Sequence, residues 1–150
     1  LERATQNDPR NPGVHLRIAG AYFKLEKWFQ ADDSYNAALK LDPDNARAYL
    51  GLAVTYLRQN RPEEAVDAAL AAIDRQYFMP AAHFYLGQAL RRMKQWQHAT
   101  QAFQVAIQQA PGMRRAHLAL AKLYENRLGQ PDHAAEHRRF AEENIVEDKG

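Results

Sequence analysis

Residues 80–113 read PAAHFYLGQALRRMKQWQHATQAFQVAIQQAPGM, and this stretch of 34 residues decides the fold. Its apolar side chains fall at helical spacing in two runs of about fourteen residues, too long for strands. The same pattern returns on both sides at a step of 34: Tyr22, Tyr56, Leu90 and Tyr124 form one column, and His15, Tyr49, His83 and His117 a second. Small residues fill two more, Ala31, Ala65, Ala99 and Ala38, Ala72, Ala106. A fixed period in this range marks helix pairs stacked into a solenoid. The spacing predicts helices near 12–25, 28–41, 46–59, 62–75, 80–93, 96–109, 114–127 and 131–146. Pro12, Pro62, Pro80 and Pro131 stand at helix starts, where the missing N–H leaves nothing unsatisfied. Asp42-Pro43 and Ala110-Pro111 end helix pairs, because the residue before proline is pushed out of the helical region.

These columns resemble the tetratricopeptide repeat, whose signature W-x2-L-G-x2-Y, A-x3-F and P spans 34 residues. Unit three reads His83, Leu86, Gly87, Leu90, Ala99, Phe103 and Pro111, and unit one His15, Ile18, Ala19, Tyr22, Ala31, Tyr35 and Pro43. Unit two keeps Tyr49, Leu52, Ala53, Tyr56 and Ala65, then has Ala69 and Tyr77 at the last two positions. Unit four carries His117, Leu120, Ala121 and Tyr124, then slips by one residue to Ala134. The resemblance implies an all-α chain: a right-handed α-solenoid of four antiparallel helix-pair repeats, one domain over 1–150, with repeats at 12–45, 46–79, 80–113 and 114–146. Residues 1–11 read as the remnant of a preceding repeat, since Ala4 lies 34 residues before Ala38 and Asp8-Pro9 lies 34 before Asp42-Pro43. Arg138 and Glu142 give the last helix the polar outer face that a terminal cap needs, and 147–150 read as a frayed tail.

Composition excludes several classes of function. Charged residues make up 25%, and no run is apolar enough to form a membrane span or a secretory h-region. With no cysteine there is neither a disulfide framework nor a thiolate metal site. The compartment stays open on these grounds; a soluble chain is expected, with the cytoplasm favoured. No Gly-rich phosphate loop, G-x-S-x-G or cysteine nucleophile occurs, so no catalytic residue, no cofactor and no metal are expected, and the chain is not read as an enzyme. His133-Ala134-Ala135-Glu136-His137 matches the H-x-x-E-H metalloprotease string. Its Ala134 is the alanine the repeat requires, and the catalytic version needs a further carboxylate from elsewhere, so the string reads as packing. The His15, His83, His117 column reads the same way, because Tyr49 and the family's tryptophan share it and tryptophan cannot ligate a metal.

The formal charge is only +2, so any preference for a partner must come from how charges are placed. In the family, positions 2, 5, 6, 9, 12 and 13 of each unit face a concave groove. Carried over, they place Leu16, Arg17, Phe23 and Lys24 in unit one and Arg47, Leu50, Val54, Leu57 and Arg58 in unit two. Phe84, Tyr85, Gln88, Arg91 and Arg92 follow in unit three, and Arg115, Leu118, Lys122, Glu125 and Asn126 in unit four. Acids such as Asp32, Asp33, Glu63, Glu64 and Asp67 fall on second helices instead. Cations interleaved with aromatic and aliphatic side chains suit an acidic peptide, helix or neighbouring domain with apolar anchors. The resemblance thus implies a non-catalytic protein–protein interaction scaffold. Single-stranded RNA binding is the alternative, disfavoured by the small net charge, and the scaffold of a larger enzyme is a third. The carboxylate clamp of chaperone-binding relatives is not expected, because Leu16, Gly20, Gly51, Ala81 and Tyr85 stand at its positions.

Overall fold

The computed structural model describes residues 8–143, and among them every regular element is an α-helix. The helices are α1 (Pro12–Lys24), α2 (Trp28–Leu41), α3 (Ala46–Arg58), α4 (Pro62–Arg75), α5 (Pro80–Arg92), α6 (Trp96–Gln109), α7 (Arg114–Asn126) and α8 (Pro131–Glu143). The remnant's Leu1 and Ala4, the expected end of α8 at 146 and the 147–150 tail lie outside the described residues. Two units follow one another along the chain, divided between Tyr77 and Phe78. In the first, α1 pairs with α2 and α3 with α4; in the second, α5 pairs with α6 and α7 with α8.

Local chemistry accounts for these boundaries. Asn11 caps α1 by accepting from the Gly13 N–H at 2.8 Å, and Asn45 caps α3 by accepting from the Ala48 N–H at 3.0 Å. Within each of the first three pairs the turn is three residues long, and its middle residue is left-handed: Glu26 and Asn60 at φ 58° and Lys94 at φ 61°. The fourth turn holds four residues, 127–130, and puts Gly129 at φ 61°. The one-residue slip of the fourth repeat therefore resides in this turn, where glycine takes the left-handed conformation without the strain a side chain would add.

The alanine columns lie at the helix crossings. Ala31, Ala38, Ala65, Ala72, Ala99 and Ala106 are all 0% exposed, which lets each backbone approach its neighbour to the usual 8–10 Å or so. In the second unit, Phe84, Phe103, Leu120, Leu123 and Tyr124 fill the remaining space and form one buried cluster with the alanines around them. Phe103 lies so close to α5 that a Cβ placed on Gly87 would fall 2.7 Å from its ring.

Candidate functional site

In the second unit, Phe84, Gln88 and Arg91 of α5 face Arg115, Leu118, Ala119 and Lys122 of α7 across a pocket of about 220 Å3. All seven stand at the family's groove positions, Ala119 at position 6 of its unit. Phe84 and Leu118 supply the apolar floor, and the three cations stand around it. Arg91 is partly buried; loss of hydration and the adjacent Arg92 push its guanidinium below the ordinary arginine value. Its Nε donates to Gln88 Oε1 at 3.1 Å. Arg115 lies over the Phe84 ring at 4.7 Å and the Tyr85 ring at 5.5 Å, and its Nη1 donates to the Tyr85 hydroxyl at 3.3 Å. Among the described residues, Arg91, Arg115 and Lys122 form no ion pair with a carboxylate. Three cations held together over an apolar floor repel one another, and an anion placed among them relieves that repulsion.

A second basic pocket, of about 300 Å3, shares Arg91 and Lys122 with the first and adds Arg92, Trp96, Asn126 and Arg127. Arg127 stacks over Trp96 at 4.8 Å. Trp96 and Arg127 lie outside the six family positions, so the register passes over both. In the first unit a pocket of about 620 Å3 is lined by Arg17 and Arg47 with Asn11, Gly13 and Leu16. Arg17 and Arg47 are exposed. Lys24 and Arg58 are the exposed last residues of α1 and α3, where a cation also complements the helix C-terminus. Leu50 and Tyr85 are half-buried, and Phe23 packs edge-on against Trp28 at 5.1 Å.

Two of the expected groove residues are core residues instead. Phe84 is only 5% exposed, because it packs against Phe103 at 5.6 Å beneath Arg115; it reaches the pocket only as its floor. Leu57 is 6% exposed, one helical turn beyond the fully buried Ala53 and on the same face of α3.

The histidine column does structural work. His15 Nε2 donates to the Pro9 carbonyl and His117 Nε2 to the Pro111 carbonyl, each at 2.9 Å and each across six residues. Tyr49 has no ring N–H to offer, and there Arg75 Nε donates to the Pro43 carbonyl at 3.2 Å. Of the H-x-x-E-H string, His133 packs against Tyr124 at 5.3 Å, while His137 Nδ1 meets His117 Nδ1 at 2.9 Å. Only one of those two Nδ1 atoms can carry the shared proton, so two imidazolium rings cannot keep the contact.

Burial, then His117, lowers the pKa of His137, with His133 adding to the effect and Glu136 opposing it. The folded state then binds this proton less readily than the unfolded chain, whose histidine titrates near about 6.5. The contribution is present above that pH and is lost as pH falls through it toward the folded value. Wild type is expected to lose melting temperature between pH 7.5 and 5.5 more steeply than His137→Gln, as read by circular dichroism. Equal slopes would remove His137 from this role.

Comparison with known proteins fits this architecture. A TPR repeat model matches residues 19–60, and a second, described as tetratricopeptide repeat, matches residues 55–114, so together they cover more than half of the chain. The chain belongs to the tetratricopeptide-repeat family. Such arrays generally mediate protein–protein interaction and are typically non-catalytic scaffolds. No curated protein matches the chain. Among solved structures, a crystal structure of MamA has the same fold at a TM-score of 0.87 and 24% identity, covering 99% of this tetratricopeptide-repeat chain and 86% of that one. Another MamA crystal structure gives 0.82 at 25% identity over 97% and 79% of the two chains. MamA (41-end) from Desulfovibrio magneticus RS-1 gives 0.84 at 20% identity over 97% and 82%. Among the described residues, no helix of this tetratricopeptide-repeat chain is long and apolar enough to cross a membrane.

Proposed function

We propose that this chain is a non-catalytic interaction scaffold that captures an acidic peptide, helix or neighbouring domain through the basic pockets of its first helices. The observation that carries this reading is the convergence of Arg91, Arg115 and Lys122 on one apolar-floored pocket with no carboxylate paired to them among the described residues. An acidic side chain entering there gains charge-assisted hydrogen bonds, and a neighbouring Leu or Phe on the same segment gains contact with Leu118 and the rim of Phe84. RNA is the weaker reading, because the formal charge is only +2 and Phe84, which would be a stacking platform, is buried.

A direct test is fluorescence anisotropy with a labelled peptide that alternates Glu with Leu and Phe, beside the same peptide with Gln for Glu and beside oligouridylate. Binding of the acidic peptide alone is expected. Equal binding of the Gln peptide would remove the electrostatic basis. Tighter binding of oligouridylate, with log affinity falling against log salt at about −0.7 per phosphate, would assign the pockets to RNA.

A further inference from the structure

A groove of about 630 Å3 opens on the first unit between α2 and α4, with α3 as its floor, and shares no lining residue with the basic pocket of that unit. Tyr49, Leu52 and Tyr56 line its base, and Ala68 and Ala71 form the α4 wall. The second unit repeats this arrangement one pair of repeats later, with α6, α7 and α8 in the same roles. There, once the slip is counted, His137 and Phe140 take the places of Ala68 and Ala71, while His117 and Tyr124 take those of Tyr49 and Tyr56. Phe140 stacks on His117 at 4.0 Å and 24°, and His137 lies parallel to Tyr124 at 5.6 Å and 10°. On the α6 side Gln104 Nε2 donates to the Tyr124 hydroxyl at 3.0 Å, and Asn36 holds the equivalent position on α2 and lines the open groove.

In the second unit the molecule therefore plugs this groove with two flat rings of its own, and in the first unit two alanines leave it open. Each tyrosine of the open groove carries a guanidinium over its ring, Arg61 on Tyr56 and Arg75 on Tyr49, both at 4.5 Å, and neither guanidinium lines the groove. On the α4 rim, Glu64 is bound to Arg61, whereas Asp67 is exposed and has no ion pair among the described residues. On the α2 rim stands Lys40.

We infer that the open groove of the first unit is a docking site for a partner polypeptide that inserts a flat aromatic side chain over Tyr49 and Tyr56 and sets an adjacent basic residue against Asp67. The inserted ring takes the place that Phe140 and His137 hold in the second unit. Offset or parallel ring contacts add to the apolar burial, so an aromatic side chain outcompetes an aliphatic one. The basic neighbour contributes a smaller, exposed ion pair.

The test is nuclear magnetic resonance titration of the whole protein with N-acetyl-Phe-Lys-amide, a minimal probe expected to bind in the millimolar range. Saturable shifts are expected at the amides of Leu52, Ala68 and Ala71. N-acetyl-Leu-Lys-amide should bind about fivefold more weakly, and Asp67→Lys should weaken the Phe-Lys probe about threefold. Ala71→Phe supplies the missing plug and should abolish the shifts while the protein stays helical. If that variant does not fold, the surface change Asp67→Lys decides alone. No saturable shifts at these three amides, equal binding of the Leu probe, an Asp67→Lys protein that binds like wild type, or a folded Ala71→Phe protein that still binds would each overturn the inference.

Discussion

Phe103→Ala is expected to lower the unfolding free energy by about 3–5 kcal/mol, because Phe103 is the largest fully buried side chain among the described residues. Phe103 is fully buried and belongs to the cluster that joins α5, α6 and α7, so the lost ring leaves a cavity bounded by Phe84, Leu120 and their neighbours rather than by solvent. Its close approach to α5 also makes Gly87 sensitive in the opposite sense. An alanine there would set a Cβ 2.7 Å from the ring, and the overpacking of about 1–3 kcal/mol outweighs the gain of roughly 1 kcal/mol in helix propensity. Gly51 gives the matching case in the first unit. Its added Cβ would meet the Tyr35 ring at 2.3 Å, and burial pushes the Tyr35 hydroxyl pKa up, so the ring has to leave a packed position and Gly51→Ala is expected to destabilise as well. Chemical denaturation of the three variants checks the set. A Phe103→Ala protein within about 1 kcal/mol of wild type would show that the cluster does not carry the second unit's stability.

Much of the fold was legible because the columns encode contacts. The six core alanines mark helix crossings, the prolines and the 34-residue step mark the ends, and every helix boundary inside the described residues falls within a residue of the spacing. The slip at Ala134 announced an extra residue without saying where it sits; that awaited Gly129 and its positive φ. The lining of the candidate pocket was legible in part. Arg91, Arg115 and Lys122 followed from register, because family positions on first helices transfer residue by residue. Which of the adjacent Phe84 and Tyr85 turns inward did not follow, since that depends on Phe103 arriving from another helix. Trp96 and Arg127 escaped because a pocket can draw on a turn and a second helix that no first-helix position describes. The open groove escaped for a related reason: it is visible only when Ala68 and Ala71 are compared with His137 and Phe140, and the slip hides that correspondence.

The second large effect concerns binding. Reversing Arg91 and Arg115 to Glu should weaken capture of the acidic, Leu- and Phe-bearing peptide by more than about 30-fold, the scale of losing interface hot spots. Both cations act on one pocket, so the two single reversals should not add. Neither residue has a carboxylate partner among the described residues whose loss would itself unfold the second unit, although Arg115 gives up its stacking on Phe84 and Tyr85. Helicity should therefore stay close to wild type, which separates binding from folding. An Arg17→Glu, Arg47→Glu protein asks the same of the first unit's pocket.

The most direct measurement is isothermal titration calorimetry of that acidic peptide into wild type and into the Arg91→Glu, Arg115→Glu protein, with circular dichroism recorded on both. A saturable isotherm is expected for wild type and none for the variant at matched helicity. An isotherm of unchanged affinity from the folded, charge-reversed protein would contradict it.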